Sequence, residues 1–138
     1  MTSDTDSPTS RDGPRPGRVT IGHHARGIAL VTLSGEHDIS THRAVAHALE
    51  LGAARSNVVV DLSHCSFIDS TIIEGFIKTA ETLRTRGEEV ILVIPARQTG
   101  VARTAQLAGL AQLFELHETT DTAFSALERA IRSEELAS

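Results

Sequence analysis

The densest chemistry in the chain lies between Asp61 and Thr71, in the run Asp61-Leu62-Ser63-His64-Cys65-Ser66-Phe67-Ile68-Asp69-Ser70-Thr71. It holds four hydroxyls, two carboxylates, one imidazole and one thiol. Three kinds of chemistry need such residues. Metal binding needs ligands in paired, fixed spacings, and neither His64-Cys65 nor the other six histidines form such pairs. Nucleophilic catalysis needs a positioned base and a recognisable frame. The chain has no G-x-S-x-G elbow, no P-loop and no G-x-G-x-x-G, so it is read as a non-enzyme without metal or cofactor. The third is acceptance of a phosphate. Ile72, Ile73, Phe76, Ile77, Ala80 and Leu83 follow at the spacing of an amphipathic helix. That puts Ser70 at a helix N-terminus, where unpaired N–H groups and the helix dipole favour negative charge. Asp69 or Ser70 acting only as a helix cap explains the same residues, because Ser and Asp are among the commonest caps.

These groups need a scaffold. Residues 19–22 and 28–34 read as two strands joined by the hairpin-length segment His23-His24-Ala25-Arg26-Gly27, and Gly35-Glu36-His37-Asp38 then breaks the second strand. Ser40 or Thr41 is placed to cap a helix ending near Ala54. Val58-Val59-Val60 is an unbroken β-branched run, as expected of a strand covered on both faces. Residues 61–71 then form a long loop into the helix that Ser70 opens, with Gly87 just past that helix's end. Residues 90–94 give another buried strand. Val101, Ala105 and Ala108 mark a helix closed by Gly109, residues 113–116 a short strand, and Ala123, Phe124, Leu127 and Ile131 a last helix. Alternating strands and helices imply an α/β domain: a four- or five-stranded mixed, mainly parallel sheet with about four helices. In such sheets functional groups gather beyond the carboxyl ends of the parallel strands, which is where Gly35-Glu36-His37-Asp38 and the 61–71 segment fall.

Composition narrows the partners. The chain has 138 residues, with 13 Lys and Arg against 18 Asp and Glu, a formal net charge of −5. An acidic chain with four Phe, no Trp and no Tyr is poorly suited to nucleic acid or an anionic membrane. A single cysteine excludes an internal disulfide and fits a reducing compartment. With a polar N-terminus and no long apolar run, the expected location is cytoplasmic. Residues 1–18 hold three of the four prolines and few apolar groups, and are read as a disordered tail, either dispensable or regulatory. The folded domain is expected over 19–132, and residues 133–138 are expected to fray.

The string DLSHCSFIDSTIIEGF, residues 61–76, resembles the phosphorylation-loop motif D-L-S-x-x-x-F-[MI]-D-S-[ST]-G-L-G of the STAS-domain anti-sigma factor antagonists. Gly35-Glu36-His37-Asp38 resembles that family's G-E-L-D turn. Gly87-Glu88-Glu89-Val90, the stretch from Val101 to Phe114 and that from Thr120 to Leu127 resemble its later elements, so the likeness runs from about Val19 to Ile131. The resemblance implies a STAS-like fold and a partner switch. The unmodified protein would bind an anti-sigma factor, a serine kinase of the histidine-kinase-like ATPase fold, and so free a sigma factor. The kinase would phosphorylate Ser70, ending the binding, and a metal-dependent serine phosphatase would reverse it. By the same resemblance Ser70 is the phosphoacceptor, Asp69 the acidic residue before it and Asp38 the acid of the first turn; the expected partner-binding surface is Asp38, Asp69, Ser70, Thr71 and Glu74, around Ser70 and the exposed side of its helix. The chain departs from the motif at Ile72-Ile73-Glu74, which replace Gly-Leu-Gly; branched and charged groups there narrow the approach to the helix start. A second reading is a sensor or scaffold domain of the same kind, holding a small ligand or another signalling protein without phosphorylation.

Overall fold

The computed structural model describes residues 15–24, 27–54, 56–97 and 99–137. In chain order the elements are β1 (Arg18–His24), β2 (Ile28–His37), α1 (His42–Ala53), β3 (Asn57–Ile68), α2 (Ser70–Arg84), β4 (Val90–Val93), α3 (Thr99–Leu107), α4 (Leu110–Leu113), β5 (Glu115–His117) and α5 (Thr120–Ala137). One five-stranded sheet runs in the order β1-β2-β3-β4-β5. β1 is antiparallel to β2 and every other pair is parallel, so the expected mixed, mainly parallel α/β sheet is present.

The β-branched run of β3 sits at the centre and is buried from both sides. Val58 and Val60 join Leu92 and the apolar stripes of α1 and α2, including Val45, Leu49, Ile72 and Phe76. Val59 faces the other way with Ile28, Ile91 and Val93, against Ala123 and Leu127 of α5. Val101 and Ala105 of α3 and Leu110 of α4 belong to the first layer, so that face carries four helices and the other carries α5. β1 is tied to α5 at its end. The His24 ring stacks on Phe124 at a centroid distance of 4.0 Å, and its Nε2 lies 3.0 Å from Glu128 Oε2.

Several expected boundaries move. Gly35-Glu36-His37 does not break β2 but continues it, in register with Cys65, Phe67 and Ile68 of β3. The expected long loop 61–71 is therefore strand as far as Ile68. Two register shifts put two extra residues into β3 opposite β2, and bulges of this kind bend a strand and re-aim its side chains. His23 and His24 belong to β1, paired with Ala29 and Ile28; Ala25 and Arg26 lie outside the described residues. The short strand expected at 113–116 is β5, shifted toward His117, because Gly109 (φ +68°) starts one further helical turn, α4, closed by the Phe114 N–H donating to the Leu110 carbonyl at 2.8 Å. This turn makes five helices among the described residues instead of about four. Of residues 133–138, expected to fray, 133–137 are helical and end α5, with Glu134, Glu135, Leu136 and Ala137 all good helix formers, and Ser138 lies outside the described residues. Of the expected tail, residues 1–14 lie outside the described residues, whereas 15–17 run beside β2 and Arg18 opens β1.

Candidate functional site

His37 and Ile68 end β2 and β3 as register partners on neighbouring parallel strands. Asp38 follows one and Asp69-Ser70 follows the other, so the two candidate segments emerge side by side beyond the carboxyl edge of the sheet.

At the second segment the chain turns from strand into helix within one residue. Asp69 is extended (φ −111°, ψ −176°) and is the N-cap of α2. Its Oδ1 accepts from the N–H of Thr71 at 3.0 Å, the N–H of Ile72 at 3.2 Å and the Thr71 hydroxyl at 2.8 Å. Of the two capping candidates, Asp69 holds the role. Ser70 is the first residue of the helix and exposed, and its hydroxyl has no hydrogen-bond partner among the described residues. Two adjacent hydroxyls thus differ chemically: that of Thr71 is committed to Asp69, and that of Ser70 is presented to solvent.

The first segment repeats this local device. Asp38 Oδ1 accepts from the Ser40 N–H at 2.8 Å and from the Ser40 hydroxyl at 2.6 Å. The Ser40 hydroxyl, then the Ser40 N–H, hold the Asp38 carboxyl below the usual carboxylate range, so it is ionised at neutral pH. Thr41 is the N-cap residue of α1, but its side chain makes no cap. Its hydroxyl instead lies 3.0 Å from Nδ1 of the buried His37 and accepts from the Asp38 N–H at 3.3 Å.

The motif departure at 72–74 has a limited consequence. Ile72 is buried in the core and Ile73 half-buried, so of the three only Glu74 stands fully on the exposed side of α2. Glu74 lies one turn beyond Ser70. Beside it runs a groove of about 410 Å³ between α1 and α2, lined by His42, Glu50, Thr71, Glu74 and Lys78 among others. Two residues not read as functional from the sequence flank the segments: Ile39 is 72% exposed and Phe67 44%. The signal for both was present, since Ile39 adjoins one candidate carboxylate segment, Phe67 lies within the other, and neither completes a periodic apolar stripe. Cys65 is buried, its Sγ directed at the Phe67 carbonyl, and burial pushes its thiol up to about 11. Among the described residues no three of His, Cys, Asp and Glu gather as a metal site, and no helix is long and apolar enough to cross a membrane.

The family model described as "STAS domain" matches residues 23–123, which takes in β2 to β5 and the last two residues of β1. The chain belongs to the STAS domain family. Over 113 residues it is 29% identical to the anti-sigma-F factor antagonist RsfA of Mycobacterium tuberculosis, a match spanning 79% of this chain and 86% of the relative. The crystal structure of an anti-sigma factor antagonist from Mycobacterium paratuberculosis superposes with a TM-score of 0.69 at 28% identity, covering 82% of this chain and 95% of that one. The Bacillus cell fate determinant SpoIIAA in its phosphorylated form shares the fold, with a TM-score of 0.62 at 16% identity over 80% of this chain and 99% of that one. The five-stranded mixed sheet with its helices thus matches solved anti-sigma factor antagonist structures.

Proposed function

We propose that this STAS domain is an anti-sigma factor antagonist: it binds an anti-sigma factor that is also a serine kinase, frees a sigma factor, and is switched off by phosphorylation of Ser70. The observation that carries the reading is the placement of Ser70, an exposed first-turn hydroxyl without a partner among the described residues, beside the capping Asp69 and next to the Asp38 turn. The kinship with mycobacterial antagonists supplies the class of partner.

The docking face comprises Asp38, Asp69, Ser70, Thr71 and Glu74, with Ile39 and Phe67 as its apolar contacts. Its carboxylates suit a partner surface carrying basic groups. The kinase transfers the γ-phosphoryl group of ATP to Ser70 Oγ, releasing ADP and the hydroxyl proton, and a metal-dependent phosphatase hydrolyses the ester. The modified serine carries about −1.5 to −2 charges. It cannot take the N–H groups of Thr71 and Ile72 without displacing Asp69, which already holds them. The phosphate therefore projects into the contact surface, where desolvation of an unpaired charge opposes binding.

The test is a binding measurement with the cognate anti-sigma factor. Ser70→Ala should bind without regulation and Ser70→Glu should bind weakly. Equal affinities for the two variants would overturn the reading, and so would ATP-dependent labelling that persists in Ser70→Ala.

A further inference from the structure

Residues 15–17 form a strap along the free edge of β2, past the start of β1. The Glu36 N–H donates to the Arg15 carbonyl at 3.1 Å. Two glycines make the fit possible. A Cβ on Gly17 would collide with the Glu36 carbonyl and stand 2.8 Å from Cε1 of His37. Gly35 has φ +80°, and a Cβ there would collide with the Pro16 carbonyl.

Behind the strap lies His37, fully buried and bonded at both ring nitrogens. Nε2 is 2.9 Å from the Ser34 carbonyl, which only accepts, so Nε2 carries the proton and donates. In the neutral ring Nδ1 then accepts the Thr41 hydroxyl at 3.0 Å. Thr41 Oγ1 also accepts the Asp38 N–H at 3.3 Å and lies 3.2 Å from the Asp38 carbonyl, a second acceptor for its proton, and that carbonyl accepts the Thr41 N–H at 3.1 Å. Strap and turn close round an opening of about 440 Å³ bounded by Arg15, Pro16, Glu36, Asp38, Ser40 and Thr41. Leucine, which stands at this place in the G-E-L-D motif, can make none of these bonds, so the chain of contacts is a property of this sequence.

We propose that the strap and His37 are positioning elements of the docking face: the strap holds His37, His37 orients Thr41, and Thr41 fixes the turn from which Asp38 meets the partner. The proposal rests on the antagonist reading above and adds to it a residue and a segment that do not themselves touch the partner.

The experiment is a double-mutant cycle on affinity for the cognate anti-sigma factor, at a temperature where circular dichroism shows every variant folded. His37→Leu keeps the apolar volume and removes both bonds; it should weaken binding about tenfold, within the usual range for coupled neighbours. Gly17→Val, which expels the strap, should do the same, and His37→Gln, with a donor and an acceptor, should recover most of the loss. Because the strap acts through the turn, Asp38→Ala combined with His37→Leu should bind no more weakly than Asp38→Ala alone. If the two losses multiply, or if His37→Leu binds as wild type, the proposal is overturned. Should Gly17→Val fail to fold, the cycle with His37→Leu decides alone. Ser70→Glu is measured in parallel: if it binds as wild type, the antagonist reading has failed, whereas normal weakening by Ser70→Glu with full binding by His37→Leu removes only the strap.

Discussion

Replacing Asp69 by alanine should separate the helix-capping role of this residue from its charge. In the native chain one carboxylate oxygen serves two first-turn N–H groups and the Thr71 hydroxyl, at 3.0, 3.2 and 2.8 Å. Alanine leaves all three without that acceptor. Thr71 is half-buried, so water recovers part of the loss, and the expected cost is that of a lost N-cap, about 1–2 kcal/mol. For a domain of this size about 1 kcal/mol corresponds to roughly 4 °C, so the midpoint of thermal unfolding should fall by roughly 4–8 °C. Asparagine caps about as well as aspartate, so Asp69→Asn should stay within about 0.5 kcal/mol of wild type. Ser70→Ala should leave stability almost unchanged, because the Ser70 hydroxyl is exposed and bonds to no described group. The assay is thermal unfolding followed by circular dichroism on the three variants side by side. An unchanged midpoint for Asp69→Ala would refute the capping argument. A loss in Asp69→Asn as large as in Asp69→Ala would show that charge on the helix dipole, not hydrogen bonding, carries the effect.

Burial, and then the nearby Glu115, raise the Glu89 carboxyl above its ordinary value of 4.5, with His117 opposing. The native state therefore keeps this proton to higher pH than the unfolded chain, and stability falls as pH climbs through that window. Glu89→Gln should melt above wild type at pH 7, with the two converging below pH 4.5; parallel melting curves across that range would contradict this. The Cys65 thiol, pushed up to about 11, should react slowly with a disulfide reagent at pH 8 in the native protein and rapidly in guanidinium; equal rates would mean that the end of β3 opens freely. Phosphorylation of Ser70 should move unfolding stability by no more than about 1 kcal/mol, since dipole attraction and repulsion from Asp69 and Glu74 are of similar size; a loss of many degrees would make the switch conformational.

The helix that presents Ser70 was legible because every local signal agreed: a capping aspartate, a stripe at helical spacing, and Gly87 at φ +73° beyond the C-terminus, where the Glu88 N–H donates to the Leu83 carbonyl at 3.0 Å. The central strand was legible for the same reason, since a β-branched triplet buried on both faces has no other use. The approach to the site was not. Leu62, Cys65 and Ile68 all enter one core layer at a spacing of three, which is neither the strand period nor a helix stripe. The two extra residues in β3 cause this: each bulge delays the next inward side chain by one position. The polar residues between, His64 and Ser66, then read as loop because they stand exposed there. Gly35 read as a break for a similar reason. It is a glycine that this strand requires because its φ is +80° and because Pro16 crosses it, and neither is visible until the strand and strap are placed. The two ends of the site were therefore found as motifs, while the extended ladder joining them was not.

That ladder bears on how a switch at Ser70 would operate. A phosphoserine reorders a helix terminus when the first-turn N–H groups are vacant and the chain is loose enough to bring them to it. Here Asp69 holds two of those groups, and Ile68 immediately before it is buried and paired with His37. To coordinate the phosphate, the chain would have to give up the cap and disturb the end of two strands, a cost of at least the cap's about 1–2 kcal/mol against about 0.3–1 kcal/mol gained from the dipole. The rigid terminus favours leaving the phosphate outside. Ile72 strengthens the same conclusion, since a buried branched residue in the first turn anchors the helix start to the core. What changes on modification is then the charge of a surface already rich in carboxylates, set among the exposed apolar groups of Ile39 and Phe67. A partner can respond to such a change by dissociating even though the domain keeps its shape, because burying an uncompensated dianion costs several kcal/mol at the interface and almost nothing in water.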